Sequence, residues 1–130
     1  MTLVLVDSSA WVSFFRGDAQ AVSRIDPLLA EGDVAINGAV YAEVVSGART
    51  SRDFELLKDL LKGLEWLPEP EDLWERLAEY RFALARRGRQ SALVDLMVGI
   101  SAMDSGALLL TRDRDFSRIQ TVLPLELELF

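Results

Sequence analysis

Leu3-Val4-Leu5-Val6-Asp7-Ser8-Ser9-Ala10-Trp11-Val12-Ser13-Phe14-Phe15 passes from an apolar run into a carboxylate, two hydroxyls and a second apolar stretch. A short apolar run closed by capping residues suits a strand followed by a helix. Asp7 therefore stands at the carboxyl end of a strand, where it is either a helix cap or part of a site.

Outward from this unit, strand and helix signals alternate. Gly17 closes the first helix, and a second is expected over 19–30, interrupted or restarted near Pro27. After the Gly32-Asp33 turn comes a brief strand, 34–36, and Asn37 can cap a helix over 38–46. In that helix Val40 and Val44 share one face, while Ala39, Glu43 and Ser46 share another. Phe54, Leu57 and Leu61 recur at helical spacing over 51–62, and a strand is expected at 64–67. The longest helical signal spans 71–87 with a core stripe of Leu73, Leu77, Tyr80 and Leu84, and Gly88 stops it. A further helix over 91–103 should turn Leu93, Met97 and Ile100 inward, leaving Asp95 on the side of Gly99 and Ala102. An apolar strand at 107–110 ends in Thr111, ahead of Arg112-Asp113-Arg114-Asp115-Phe116, and one or two strands should occupy 121–129. Such alternation favours an α/β three-layer sandwich, a parallel sheet with helices on both faces. Residues 1–130 are about the size of one domain, with no repeat or linker.

Composition narrows the chemistry. The chain has no histidine and no cysteine, so the usual zinc ligands and neutral-pH proton shuttles are missing, and no disulfide can form. Four carboxylates, Asp7, Glu43, Asp95 and Asp113, stand where apolar runs meet turns or small-residue helix faces. In an open parallel sheet, ligands bind beyond the carboxyl ends of the strands, and these acids are placed to converge there. Acids that close repel by about 4 kcal/mol per pair at ~4 Å and an effective dielectric near 20, so a cluster makes sense around a cation. Mg²⁺ or Mn²⁺ accepts carboxylate and water oxygens, binds phosphate and acidifies a bound water, which points to hydrolysis of a phosphodiester. Thr111 and Ser8 either hydrogen-bond a metal ligand or a metal-bound water, or are plain turn and cap hydroxyls. Singly, each acid has a plainer role: Asp7 as cap, Glu43 as a helix-dipole acid, Asp95 as a helical residue, Asp113 as a turn former.

The net charge of −7 argues against binding nucleic acid through bulk charge. Local groups, Arg86 with Arg87 and Arg89, and Arg112 with Arg114 and Arg118, are candidates to hold phosphates, the first group being equally readable as a solvated helix end; Arg112, Arg114 and Arg86 are the first choices for RNA. Trp11, Phe14, Phe15, Trp66 and Trp74 are either core or an apolar docking face. No stretch reaches the roughly 20 apolar residues of a membrane span, and the first residues lack a signal peptide's basic region, so a cytoplasmic location is expected.

Four segments, VDSSAWVSFF at 6–15, AEVVSG at 42–47, VDLMVGISA at 94–102 and LLLTRDRDF at 108–116, resemble the PIN domain, and more narrowly the VapC ribonuclease toxins of toxin–antitoxin pairs. The resemblance covers nearly the whole chain. It implies a parallel sheet of about five strands, a Mg²⁺- or Mn²⁺-dependent endoribonuclease, a homodimeric toxin, an RNA substrate such as tRNA or rRNA, and a cognate VapB-type antitoxin. By position Asp7, Glu43 and Asp95 match the family's acidic ligands, Asp113 is the expected fourth, and Asp115 is its rival or auxiliary. Two other readings compete: a catalytically silent PIN-like binding module, and a phosphoaspartyl phosphatase or receiver. The last fits poorly, since Ser8 and Ser9 follow Asp7 without a second acid and no lysine follows the late strand.

Overall fold

Val4, Leu5 and Val6 are all buried, as a strand covered by helices on both faces requires, and they form the centre of a sheet. In the computed structural model, which describes residues 2–130, the elements along the chain are β1 (Val4–Val6), α1 (Ser8–Phe15), α2 (Ala19–Glu31), β2 (Val34–Ile36), α3 (Gly38–Ser46), α4 (Ser51–Lys62), β3 (Glu65–Trp66), α5 (Leu73–Arg86), α6 (Leu93–Ser105), β4 (Leu108–Thr111), α7 (Phe116–Ile119) and β5 (Glu126–Leu129). The five strands lie in the order β3-β2-β1-β4-β5, and every pair is parallel. Helices α1 to α4 pack among themselves, as do α5 to α7, with α3 touching α6. Right-handed crossovers send these two groups to opposite faces, because the chain moves one way from β1 to β3 and the other way from β3 to β5. The expected three-layer architecture is thus present. Its direction reverses beside β1, so the carboxyl ends of β1, β2 and β4 form the switch point where a ligand site belongs.

Several boundaries differ from the sequence reading. Pro27 does not interrupt α2, which runs through it unbroken. Pro27 and Ser23, whose carbonyl loses its partner, are both exposed, so water can serve that carbonyl. Helix α6 begins two residues later than Ser91, because Ala92 is extended (φ −69°, ψ 144°) and no side chain caps the helix. Leu93, expected inward, is 39% exposed, since it sits in that first turn beyond the edge of the core. Strand β3 shrinks to Glu65 and Trp66, both exposed at the sheet edge. After β4 a short helix, α7, was not anticipated; it buries Phe116 and Ile119. The aromatics divide: Trp11 is fully buried and stacks on Phe15 at 5.5 Å, whereas Trp74 is 68% exposed. Among the described residues no helix is long and apolar enough to cross a membrane.

Candidate active site

The carboxyl ends of β1 and β4 are joined by hydrogen bonds that begin on the backbone and continue through side chains. The Asp7 amide donates to the Leu110 carbonyl at 2.9 Å, extending the parallel pairing by one residue. Asp7 is itself buried and caps α1, its Oδ2 accepting from the Ser9 amide at 3.4 Å. The same oxygen accepts from the Ser9 hydroxyl at 2.8 Å and from the Thr111 hydroxyl at 2.9 Å. Both hydroxyls accept in turn: Ser9 Oγ from the Arg112 amide at 3.1 Å, Thr111 Oγ1 from the Asp113 amide at 2.9 Å. Oδ1 of Asp7 has no partner among the described residues, so the carboxylate is pinned by one oxygen with the other left free.

Glu43 projects from α3, and its Oε1 accepts from the Ser8 hydroxyl at 3.1 Å. Although Glu43 as a residue is exposed, partial burial of its carboxyl raises the pKa, the Ser8 hydrogen bond opposes this, and the Asp7 charge adds to it. Asp113 turns back on its own loop, where Oδ1 accepts from the Asp115 amide at 2.9 Å. Asp115 is exposed and pairs with Arg118 at 3.6 Å.

Asp95 lies in the first turn of α6, half-buried, and makes no hydrogen bond or ion pair among the described residues. Its pKa is pushed up to about 6, first by burial and then by the charges of Asp7, Asp113, Glu43 and Asp115. No cation opposes them. The charges of Asp7, Asp113 and Glu43 thus reach Asp95, and that of Asp7 reaches Glu43, at one edge of the sheet. These acids are not closed into a ligand set: among the described residues no three acidic side chains stand close enough to hold one ion as placed. Asp7 is tethered to Ser9 and Thr111, and Glu43 separately to Ser8.

The PIN domain profile matches residues 4–122, which leaves the phosphoaspartyl phosphatase or receiver reading without support. The chain belongs to the PIN-domain family. It is 31% identical over 127 residues to the ribonuclease VapC17 of Mycobacterium tuberculosis, covering 95% of this chain and 92% of that one. With ribonuclease VapC11 of the same organism the identity is 29% over 129 residues, covering 95% and 96%. Among solved structures, VapBC2 from Rickettsia felis, bound to a DNA fragment from its promoter, superposes with a TM-score of 0.77 at 21% identity, over 99% of both chains. That likeness concerns the fold.

The arginines at the rim of this PIN domain are differently engaged. Arg112, nominated for RNA, folds back on Asp18 and Gln20, and its guanidinium lies 4.4 Å from the Phe130 ring centroid. Arg86 stacks on Phe82 at 4.6 Å, while Arg114 is exposed on the loop after β4. Three polar residues escaped nomination. Ser9, read only as a cap, is a hub of the Asp7 network. Asn37 caps α3 through Oδ1 and donates from Nδ2 to Ser101 Oγ at 2.9 Å, tying the start of the Glu43 helix to the Asp95 helix. Ser101 is the third, a buried hydroxyl two turns along from Asp95. Their one sequence signal is a small polar residue inside an otherwise apolar segment. The small residues on α6 serve packing rather than the carboxylate, since a Cβ on Gly99 would come 3.3 Å from Leu123 and 3.5 Å from Ile119.

Proposed function

We propose that this PIN domain is a Mg²⁺- or Mn²⁺-dependent endoribonuclease, the toxin of a toxin–antitoxin pair, in which Asp7, Glu43, Asp95 and Asp113 hold the ion. Asp95 carries the reading: a half-buried carboxyl with no partner, surrounded by four other acids and with its pKa pushed up to about 6, supports a role as ligand to a cation. The donor chemistry fits, because every candidate ligand is a hard oxygen and Oδ1 of Asp7 is free. When bound, the ion would polarise the scissile phosphate and acidify a water, so that cleavage leaves a 5′-phosphate and a 3′-hydroxyl.

The chain's own residues prepare that chemistry. Ser9 and Thr111 fix the rotamer of Asp7, and Ser8 fixes that of Glu43, so both carboxylates are oriented before ligands arrive. Asp113 is the better fourth acid. Its amide is bound by Thr111 next to Asp7, and its charge acts on Asp95 more strongly than that of Asp115, which Arg118 already engages. The substrate and partner follow from the relatives named ribonuclease VapC and the fold shared with VapBC complexes. A VapB-type antitoxin is the proposed partner, and a homodimer the proposed assembly.

Incubating purified protein with a mixed tRNA and rRNA substrate tests the reading. Cleavage should require Mg²⁺ or Mn²⁺, stop with EDTA, and fall at least about 100-fold in Asp7→Asn and Asp95→Asn. Metal-independent cleavage, or full activity in both variants, would reject it.

A further inference from the structure

Beside the acids, on the side of α5, α6 and α7, lies a cleft of about 650 Å³ with Asp95 and Asp115 at its border and Arg81, Arg89 and Arg118 around it. These arginines come from α5, from the turn after it and from α7, so the fold gathers into one hollow guanidiniums that the sequence scatters. Arg81 and Arg89 are exposed and make no side-chain ion pair among the described residues. In the same wall the Ser91 hydroxyl is buried without a partner. Two free guanidiniums and an unanswered hydroxyl form a receptor for an anion with several oxygens.

A second cleft adjoins the first, sharing Arg81 and Ala85, and it is apolar. Trp74 and Phe82 line it, 68% and 51% exposed, with Arg86 stacked on Phe82. Exposed rings continuing a row of arginines are how proteins hold single-stranded nucleic acid, phosphates on cations and bases on aromatic faces. A duplex, whose bases are already stacked, cannot use the rings.

We propose that single-stranded RNA runs from the acid cluster along α5, with phosphates held by Arg81, Arg89 and Ser91 and a following base stacked on Phe82 and Trp74. RNA as the occupant rests on the ribonuclease reading; the track itself rests on the two clefts. Arg112, folded against Asp18, lies outside it.

Fluorescence anisotropy with a labelled single-stranded RNA, in the Asp7→Asn background with Mg²⁺, measures the track without cleavage. Arg81→Ala/Arg89→Ala should weaken binding about tenfold at ~0.1 M salt and flatten the plot of log affinity against log salt by about 0.7 per arginine. Trp74→Ala/Phe82→Ala should weaken binding of the single strand with the slope unchanged and leave a duplex unaffected. Arg49→Ala/Arg52→Ala, an equal charge change beside α4, should alter nothing. Affinity and slope unchanged in Arg81→Ala/Arg89→Ala, an equal loss in Arg49→Ala/Arg52→Ala, or a duplex as sensitive to the rings as the single strand would each overturn the proposal. So would an acidic peptide, poly-glutamate, that depends on Arg81 and Arg89 when RNA does not. The two readings fail separately. Wild-type protein that binds RNA through these arginines but does not cut it keeps the track and loses the nuclease, and cleavage with affinity indifferent to them does the reverse.

Discussion

Above pH 6 the Asp95 carboxyl is ionised in a half-buried place, with Asp7, Asp113, Glu43 and Asp115 all acting to discharge it. Its folded pKa lies above the unfolded value of 3.8, so the native state holds the proton more tightly than the unfolded chain. Stability from this residue therefore falls as pH rises from 3.8 through about 6, and the full penalty is present above that. Asp95→Asn removes the charge and keeps the shape. In metal-free buffer at neutral pH the variant should be more stable than wild type by about 1–3 kcal/mol, the lower end allowing for solvent screening. Melting curves at a series of pH values check this, and the advantage should shrink as pH falls below 6 and vanish below about 4. A variant less stable than wild type at neutral pH would mean that the carboxylate has a partner. The residues that orient the site were harder to find from sequence than those that carry its charge. A carboxylate inside an apolar run is conspicuous because burial is costly, whereas Ser9 and Asn37 look like ordinary caps, and their long-range bonds, from the Arg112 amide and to Ser101, cross 103 and 64 positions of chain.

Helix α6 delivers Asp95 to the edge of the sheet, and its depth is set by what lies beneath Gly99. That glycine is buried, with the side chains of Leu123, Ile119 and Leu125 where its Cβ would be, so α6 sits on the segment between α7 and β5 at the closest approach a helix allows. Gly99→Val would push two methyl groups into this contact and lift the helix. The expected loss is about 1–3 kcal/mol of stability, measurable by urea unfolding, with RNA cleavage reduced beyond what the unfolded fraction explains because Asp95 moves with the helix. Unchanged stability would show that the segment after α7 yields freely. The order of elements was readable because β1, β2 and β4 are short apolar runs with capping residues behind them, and period alone separates these from α5. The start of α6 was not. Ser91 looks like a cap, yet its hydroxyl caps nothing and the helix begins two residues on, which is why Leu93 reaches the surface. Helix α7 was hidden as well: a single turn has no period to read, and its aspartates mimic a loop.

For the molecule as a whole, acidic excess and fold meet in the response to divalent ions. The chain carries a net charge of −7, so any salt will relieve some general repulsion, and a rise in melting temperature with Mg²⁺ is not by itself proof of a site. The two effects separate by concentration and by sequence. Screening follows ionic strength and, in ~0.15 M NaCl with a Debye length of about 8 Å, is already largely saturated for exposed charges. Binding instead stabilises the folded state logarithmically with free ion, by about 2.7 kcal/mol at 100 times the dissociation constant. Against that salt background, Mg²⁺ or Mn²⁺ should raise the melting temperature by several degrees, and EDTA should reverse the rise. Asp95→Asn and Asp7→Asn should lose most of it. Asp104→Asn, which removes one negative charge from an ion pair with Arg76 on the far part of α6, should retain the rise even if its own stability drops. An equal response in all three variants would reduce the effect to screening, and with it the claim that the acids at the ends of β1 and β4 form a cation site.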